Sequence, residues 1–158
     1  MPTVENRGIQ IHYEVHGSGH PVVLIHGGTV SFKHNYADFG WIEALNHSGL
    51  QVIGLDLRGH GKSGKPHEIE SYGTSNLASD VVTVLDQLSL TRVSLVAYSI
   101  GTAVVLHLLK SFPERFDKAA LIATGVVGVL VTRWALLGAL ALLLGGVWAA
   151  WVIARQVS

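Results

Sequence analysis

The sequence predicts an α/β fold: a mostly parallel sheet with helices on both faces, truncated after about the sixth strand and followed by an apolar C-terminal helix. Three observations carry this. Short apolar runs of the kind that form strands buried on both faces alternate with stretches whose apolar residues recur every three or four positions. Glycine-bearing turns follow those runs at His26-Gly27-Gly28 and at Arg58-Gly59-His60-Gly61. Past Gly125 the charge density of a soluble protein gives way to apolar sequence, which divides the chain into residues 1–125 and a tail, 126–158.

In chain order, Ile9, Ile11, Tyr13 and Val15 alternate with Gln10, His12, Glu14 and His16, the period of two of a half-buried strand. After the turn Gly17-Ser18-Gly19, the run Pro21 to His26 reads as a strand covered on both sides. A helix is predicted from about Tyr36 to Asn46, with Gly49 ending it. Gln51 to Asp56 is the next buried strand, and Leu77, Val81, Val84, Leu85 and Leu88 give an amphipathic helix from Ser75 onward. Arg92 to Ala97 is a strand, Ile100 to Leu109 a largely buried helix stopped before Pro113, and Lys118 to Ala123 one more strand.

Composition narrows the function. Lys plus Arg and Asp plus Glu are 11 each, so the chain lacks the basic surface that nucleic acid requires. Cysteine is absent, which excludes disulfides, thiolate metal sites and a cysteine nucleophile. The N-terminus, MPTVENRGIQ, has no apolar core of a secretory signal, so the first part is expected in the cytoplasm.

The chemistry is concentrated at Val96-Ala97-Tyr98-Ser99-Ile100-Gly101, between a predicted strand and a predicted helix. A sharp strand-to-helix turn strains its central residue and leaves room only for small residues two positions either side, here Ala97 and Gly101. The serine hydroxyl would then stand at the carboxyl end of the sheet, before the amides of a helix N-terminus. Taken alone, the pattern reads equally as a serine that merely caps a helix. His26-Gly27-Gly28 leaves its strand as a loop must if a backbone amide is to face a carbonyl oxygen under attack, although Gly-Gly after a strand is by itself an ordinary turn.

The order HGG, then Asp56-Leu-Arg-Gly-His-Gly-Lys-Ser63, then AYSIG, then Ser111-Phe-Pro-Glu-Arg-Phe116 resembles the α/β-hydrolase superfamily over roughly residues 8 to 125. The resemblance implies Ser99 as nucleophile and the backbone amides of Gly28 and Ile100 as an oxyanion hole. Ala97 replaces the usual glycine of the elbow. Relatives that open epoxides or displace halide look to an aspartate at the position of Ser99, so a serine there implies a small-molecule acyl substrate: an ester, amide or peptide. No metal and no cofactor is implied. In such proteins the loop holding Asp56, Arg58 and His60 is mainly structural.

A base is harder to find. The family order is serine, acid, histidine. After Ser99 the only acids are Glu114 and Asp117 and the only histidine is His107. His107 lies eight positions into the helix after Ser99, about 12 Å along its axis, so it reads as a packed or solvated helical residue. The tail runs from Trp134 to Ala154 without a charge, between Arg133 and Arg155, about 30 Å of helix and the thickness of a bilayer core. It reads in three ways: a membrane-inserted transmembrane helix at 134–154, an apolar helix packed on the rest, or the product of truncation or a frame shift after about residue 125. The functional expectation is a serine hydrolase; its rival is a catalytically incomplete, truncated or membrane-tethered module of the same fold.

Overall fold

The computed structural model describes residues 2–122 and 129–131. Seven strands, β1 (Thr3–Asn6), β2 (Ile9–His16), β3 (His20–Ile25), β4 (Leu50–Leu55), β5 (Val93–Tyr98), β6 (Phe116–Ile122) and β7 (Val129–Val131), form one sheet in the order β1-β2-β4-β3-β5-β6-β7. The four central strands, β4, β3, β5 and β6, run parallel; β1 on β2, β2 on β4 and β7 on β6 pair antiparallel. The helices are α1 (Phe32–Asn35), α2 (Trp41–His47), α3 (Thr74–Gln87) and α4 (Ile100–Ser111).

Successive residues of a strand point to opposite faces, and the apolar runs of the parallel strands therefore feed two cores at once. On one face Val23, Ile25, Ile53, Leu55, Leu95 and Ala97 pack with Leu77, Val81 and Leu85 of α3 and Val104 and Leu108 of α4. On the other, Val22, Leu24, Val52 and Val96 pack with Phe32 and Tyr36, and with Trp41 and Leu45 of α2. Each fully buried Leu or Val contributes about 1.5–3 kcal/mol relative to exposure. Helices thus cover both faces, as the sequence predicts.

Three elements differ from the sequence reading. β1 was not foreseen because it has only four residues; it is made by a tight hairpin in which Arg7 and Gly8 both take positive φ, 53° and 79°, the geometry whose twist suits two antiparallel strands. The single helix expected over Tyr36 to Asn46 is replaced by α1, a short 3-10 turn at Ala37–Phe39, and α2. Ser31 starts α1 by capping His34, and Gly40, at φ 74°, breaks the path before Trp41. Val129–Val131, placed in the apolar tail by composition, adds a strand to the free edge of β6. The predicted apolar helix at 134–154 lies outside the described residues. Among the described residues no helix is long and apolar enough to cross a membrane.

Candidate active site

Ser99 sits between β5 and α4 with φ 52° and ψ −119°, a conformation that a residue with a Cβ adopts only under strain of about 1–3 kcal/mol. The turn is held from both sides. The Ser99 amide donates to the carbonyl of Ile122 on β6 at 3.0 Å, and the Ser99 carbonyl accepts from the Thr102 amide at 2.9 Å and from Thr102 Oγ1 at 2.6 Å. Gly101 allows the close approach: a Cβ there would lie 2.6 Å from the Ile25 carbonyl oxygen and 2.8 Å from that of His26, both backbone atoms that cannot turn aside. Ala97 is fully buried, and its methyl is accommodated in the core of β5. Ser99 itself is exposed, flanked by Tyr98 and Ile100, which are 39% and 47% exposed. Ile100 opens α4, so its amide has no carbonyl ahead of it in the helix, and the dipole of a 12-residue helix points its positive end toward the same place.

The His26-Gly27-Gly28 segment leaves β3 beside this turn. A Cβ on Gly27 would lie 2.9 Å from Tyr98 Cδ1 and 3.3 Å from Ser99 Cβ, and one on Gly28 3.7 Å from Ile100 Cγ2. The three residues that the sequence reading singled out, Ser99, Gly28 and Ile100, are therefore brought together. The Tyr36 hydroxyl donates to the Ile25 carbonyl at 3.0 Å and braces the end of β3; burial pushes this phenol's pKa well up, with Tyr98 adding to the effect.

His26 has no solvent exposure, and both its ring nitrogens are engaged: Nε2 accepts from the Leu57 amide at 3.0 Å, and Nδ1 meets the Gly27 carbonyl at 2.6 Å. An acceptor Nε2 with a donor Nδ1 is a neutral imidazole, and neither nitrogen is left to take a proton from Ser99. Burial is the main cause that holds its pKa below the usual 6.5, with His60 adding and the Gly27 carbonyl and Asp56 opposing. A histidine buried neutral takes up its proton only on unfolding, so its contribution to stability is complete above 6.5 and is lost as pH falls toward the lower folded value. Between about pH 7 and pH 5, urea melts should show the wild-type chain losing stability more steeply than His26→Asn. The difference in slope should reach at most about 1.4 kcal/mol per pH unit; parallel slopes would overturn it.

The loop after β4 is a structural knot. Asp56, 4% exposed, accepts from the Phe32 amide through Oδ1 and from the Lys62 amide through Oδ2, both at 2.9 Å, and its Oδ2 lies 3.3 Å from His12 Nδ1. Ser63 Oγ donates to the Asp56 carbonyl at 2.6 Å and accepts from the His12 amide at 2.9 Å. Arg58, 2% exposed, makes a two-point bridge to fully buried Asp80 of α3 at 2.7 and 2.6 Å and donates to the Ser71 carbonyl at 3.0 Å. That hydrogen-bonded carboxylate raises the Arg58 pKa further. His60 Nδ1 meets the Arg58 carbonyl at 3.0 Å, and its ring lies edge-on to His26 at 5.1 Å. The loop faces Thr29, Val30, Ser31 and His34 across an open pocket of about 400 Å³, walled on its own side by Gly59, His60 and Gly61.

The acids after Ser99 are remote from it. Asp117 is at the N-terminal end of β6, paired with Arg92 at 2.5 Å; Ile122, whose carbonyl meets the Ser99 amide, is five residues on, about 16 Å along the strand. His20, Ser94 and Asp117 meet at that same distant end, with His20 Nε2 at 3.1 Å from Ser94 Oγ and 3.8 Å from Asp117 Oδ2. One nitrogen serves both partners and Ser94 is fully buried, so the cluster lacks the relay in which the acid holds the other ring nitrogen. Two contributions escaped the sequence reading. Asn35 Oδ1 accepts from the Gly27 amide at 2.9 Å, and Asp80 is the partner of Arg58; no local spacing signals either contact.

Residues 20–152 match a family model described as the alpha/beta hydrolase fold, which carries the likeness beyond residue 125. A bifunctional epoxide hydrolase 2 from Sus scrofa is 33% identical over 120 residues, 74% of this chain and 20% of that protein. The crystal structure of an epoxide hydrolase from Vigna radiata superposes with a TM-score of 0.68 at 32% identity, covering 75% of this chain and 36% of the other. An N-acyl homoserine lactone degrading enzyme superposes with a TM-score of 0.64 at 33% identity, covering 75% and 43%. The chain thus spans about a fifth of the Sus scrofa relative and between a third and a half of the two solved structures.

Proposed function

Because the chain belongs to the alpha/beta hydrolase fold family, we propose that it is built as a serine hydrolase of an ester or other acyl substrate, with Ser99 as nucleophile and the amides of Gly28 and Ile100 as oxyanion donors. The observation that carries the proposal is the strained backbone of an exposed Ser99 beside Gly27 and Gly28. A cap on a helix needs no such strain, since a capping serine sits comfortably in extended backbone and bonds an amide of the first turn, and the Ser99 side chain makes no such bond. In the proposed step Ser99 Oγ bonds to the carbonyl carbon and loses its proton to a base or to water. The carbonyl electron pair moves to oxygen, where the two amides receive it. Collapse expels the leaving oxygen or nitrogen, which takes up that proton to depart as the alcohol or amine, and water then hydrolyses the acyl-serine to the acid and the restored Ser99 hydroxyl.

Two of the similar proteins are epoxide hydrolases by name, and the nucleophile decides against carrying that substrate over. A carboxylate that opens an epoxide forms an ester, whose carbonyl water can attack. A serine hydroxyl would form an ether, which has no carbonyl and would end turnover after one event. The lactone named for the third similar protein is a cyclic ester and suits a serine.

The test is labelling of the full chain by a fluorophosphonate, with the modified residue located by mass spectrometry. A slow label on Ser99 is expected, absent in Ser99→Ala and kept in Ser94→Ala. A label that survives Ser99→Ala would refute the assignment. A second reading, a module without turnover, is favoured by two observations: among the described residues the acids after Ser99 lie toward the far end of β6, and His26 is engaged at both nitrogens.

A further inference from the structure

We infer that Asn35 is a positioning residue for the oxyanion hole, dividing the work of two adjacent amides so that Gly28, and not Gly27, faces the substrate oxygen. The inference rests on the proposed role of Ser99 and extends it to a residue that no feature of the sequence marks. Gly27 and Gly28 follow β3 in succession, and either amide is a candidate donor. Asn35 Oδ1 occupies the first, at 2.9 Å, and an amide already spent on a side-chain carbonyl has no proton left for a developing oxyanion.

The anchor is itself anchored. Asn35 is on α1, whose Ser31 cap and whose Phe32 amide, bonded to Asp56 Oδ1 at 2.9 Å, tie that helix to the buried knot after β4. Gly27 is meanwhile close enough to Tyr98 and Ser99 that a Cβ would collide, so a displacement of its amide moves the segment against the nucleophile itself. The path Asp56, α1, Asn35, Gly27 sets the distance between the donor loop and Ser99. Thr29, two residues after Gly27, holds φ at 65°, unusual for a branched residue.

The experiment uses the full 158-residue chain, labelled with ¹⁵N, and reads the Gly27 and Gly28 amides directly by hydrogen exchange alongside the rate of fluorophosphonate labelling. In the wild type the Gly27 amide should exchange slowly and the Gly28 amide fast. Asn35→Ala should speed Gly27 exchange at least about tenfold and slow labelling by a factor between about 10 and 10², the range set by a donor misplaced by up to about 1 Å. Asn35→Asp keeps an acceptor oxygen at the same place and should restore protection of Gly27 and most of the labelling rate, which also guards against loss of folding in Asn35→Ala. Unchanged Gly27 exchange in Asn35→Ala overturns the inference, and so does faster exchange with an unchanged labelling rate. A wild-type chain that never labels at Ser99 while Gly27 responds as described defeats the nucleophile assignment instead, leaving the anchoring of Gly27 standing.

Discussion

Replacing Asp80 by alanine is expected to lower the free energy of unfolding by about 3–5 kcal/mol, the loss typical when one partner of a buried ion pair is removed. Arg58 would keep its charge in a site that is 2% exposed, and the two short bonds to the carboxylate would have no replacement. Asn6, which also donates to Asp80 at 2.7 Å, would lose its acceptor, so the first hairpin loosens together with the loop after β4. Domains of this kind have about 5–15 kcal/mol of stability in all, so a sizeable share of the Asp80→Ala chain should be unfolded well below the wild-type midpoint. Urea unfolding followed by circular dichroism measures it. The pair Arg58→Met with Asp80→Leu, which removes both charges and keeps volume, should recover much of the loss; an Asp80→Ala cost under about 1 kcal/mol would show the bridge to be solvated.

Turnover should be far below that of a competent enzyme, for which about 10 s⁻¹ is typical. Ser99 retains the ordinary weak nucleophilicity of a hydroxyl, because among the described residues no imidazole hydrogen-bonds to it, and buried His26 is engaged at both ring nitrogens. Oxyanion donors and binding alone leave about 10³ to 10⁴ over water. Hydrolysis of an activated short-chain aryl ester by the 158-residue chain should therefore be residual at best and fall further in Ser99→Ala. Turnover near 10 s⁻¹ would mean that a base reaches Ser99 from His60 or from a second chain, which His60→Gln and dilution would separate.

The central sheet and its two-sided cover were legible in the sequence because continuous apolar runs such as Val22 to Ile25 leave a strand no exposed face. The elbow was legible for a different reason: the small residue at Gly101 is imposed by backbone close by in space, the Ile25 and His26 carbonyls, and such a constraint repeats wherever the turn is built. What escaped was set by partners distant in sequence. Asn35 and Gly27 are joined by a single bond across a loop, and Arg58 and Asp80 by a bridge between a loop and a helix. Neither leaves a period or a motif, since any polar residue in the right place would have looked the same. β1 was invisible because four residues, Thr3 and Glu5 among them exposed, carry too little pattern to distinguish from a loop.

The position of β3 has a consequence for synthesis on the ribosome. This strand pairs with β4 on one side and with β5 on the other, and its last paired residue on β5, Ala97, is made roughly 70 residues after Ile25. At about 5–20 residues per second, this apolar strand waits for several seconds with one edge uncovered. A nascent chain of this topology is therefore a natural client for holding factors that shield short apolar segments, and slowing translation between β4 and β5 should lower its soluble yield more than slowing it anywhere after β5.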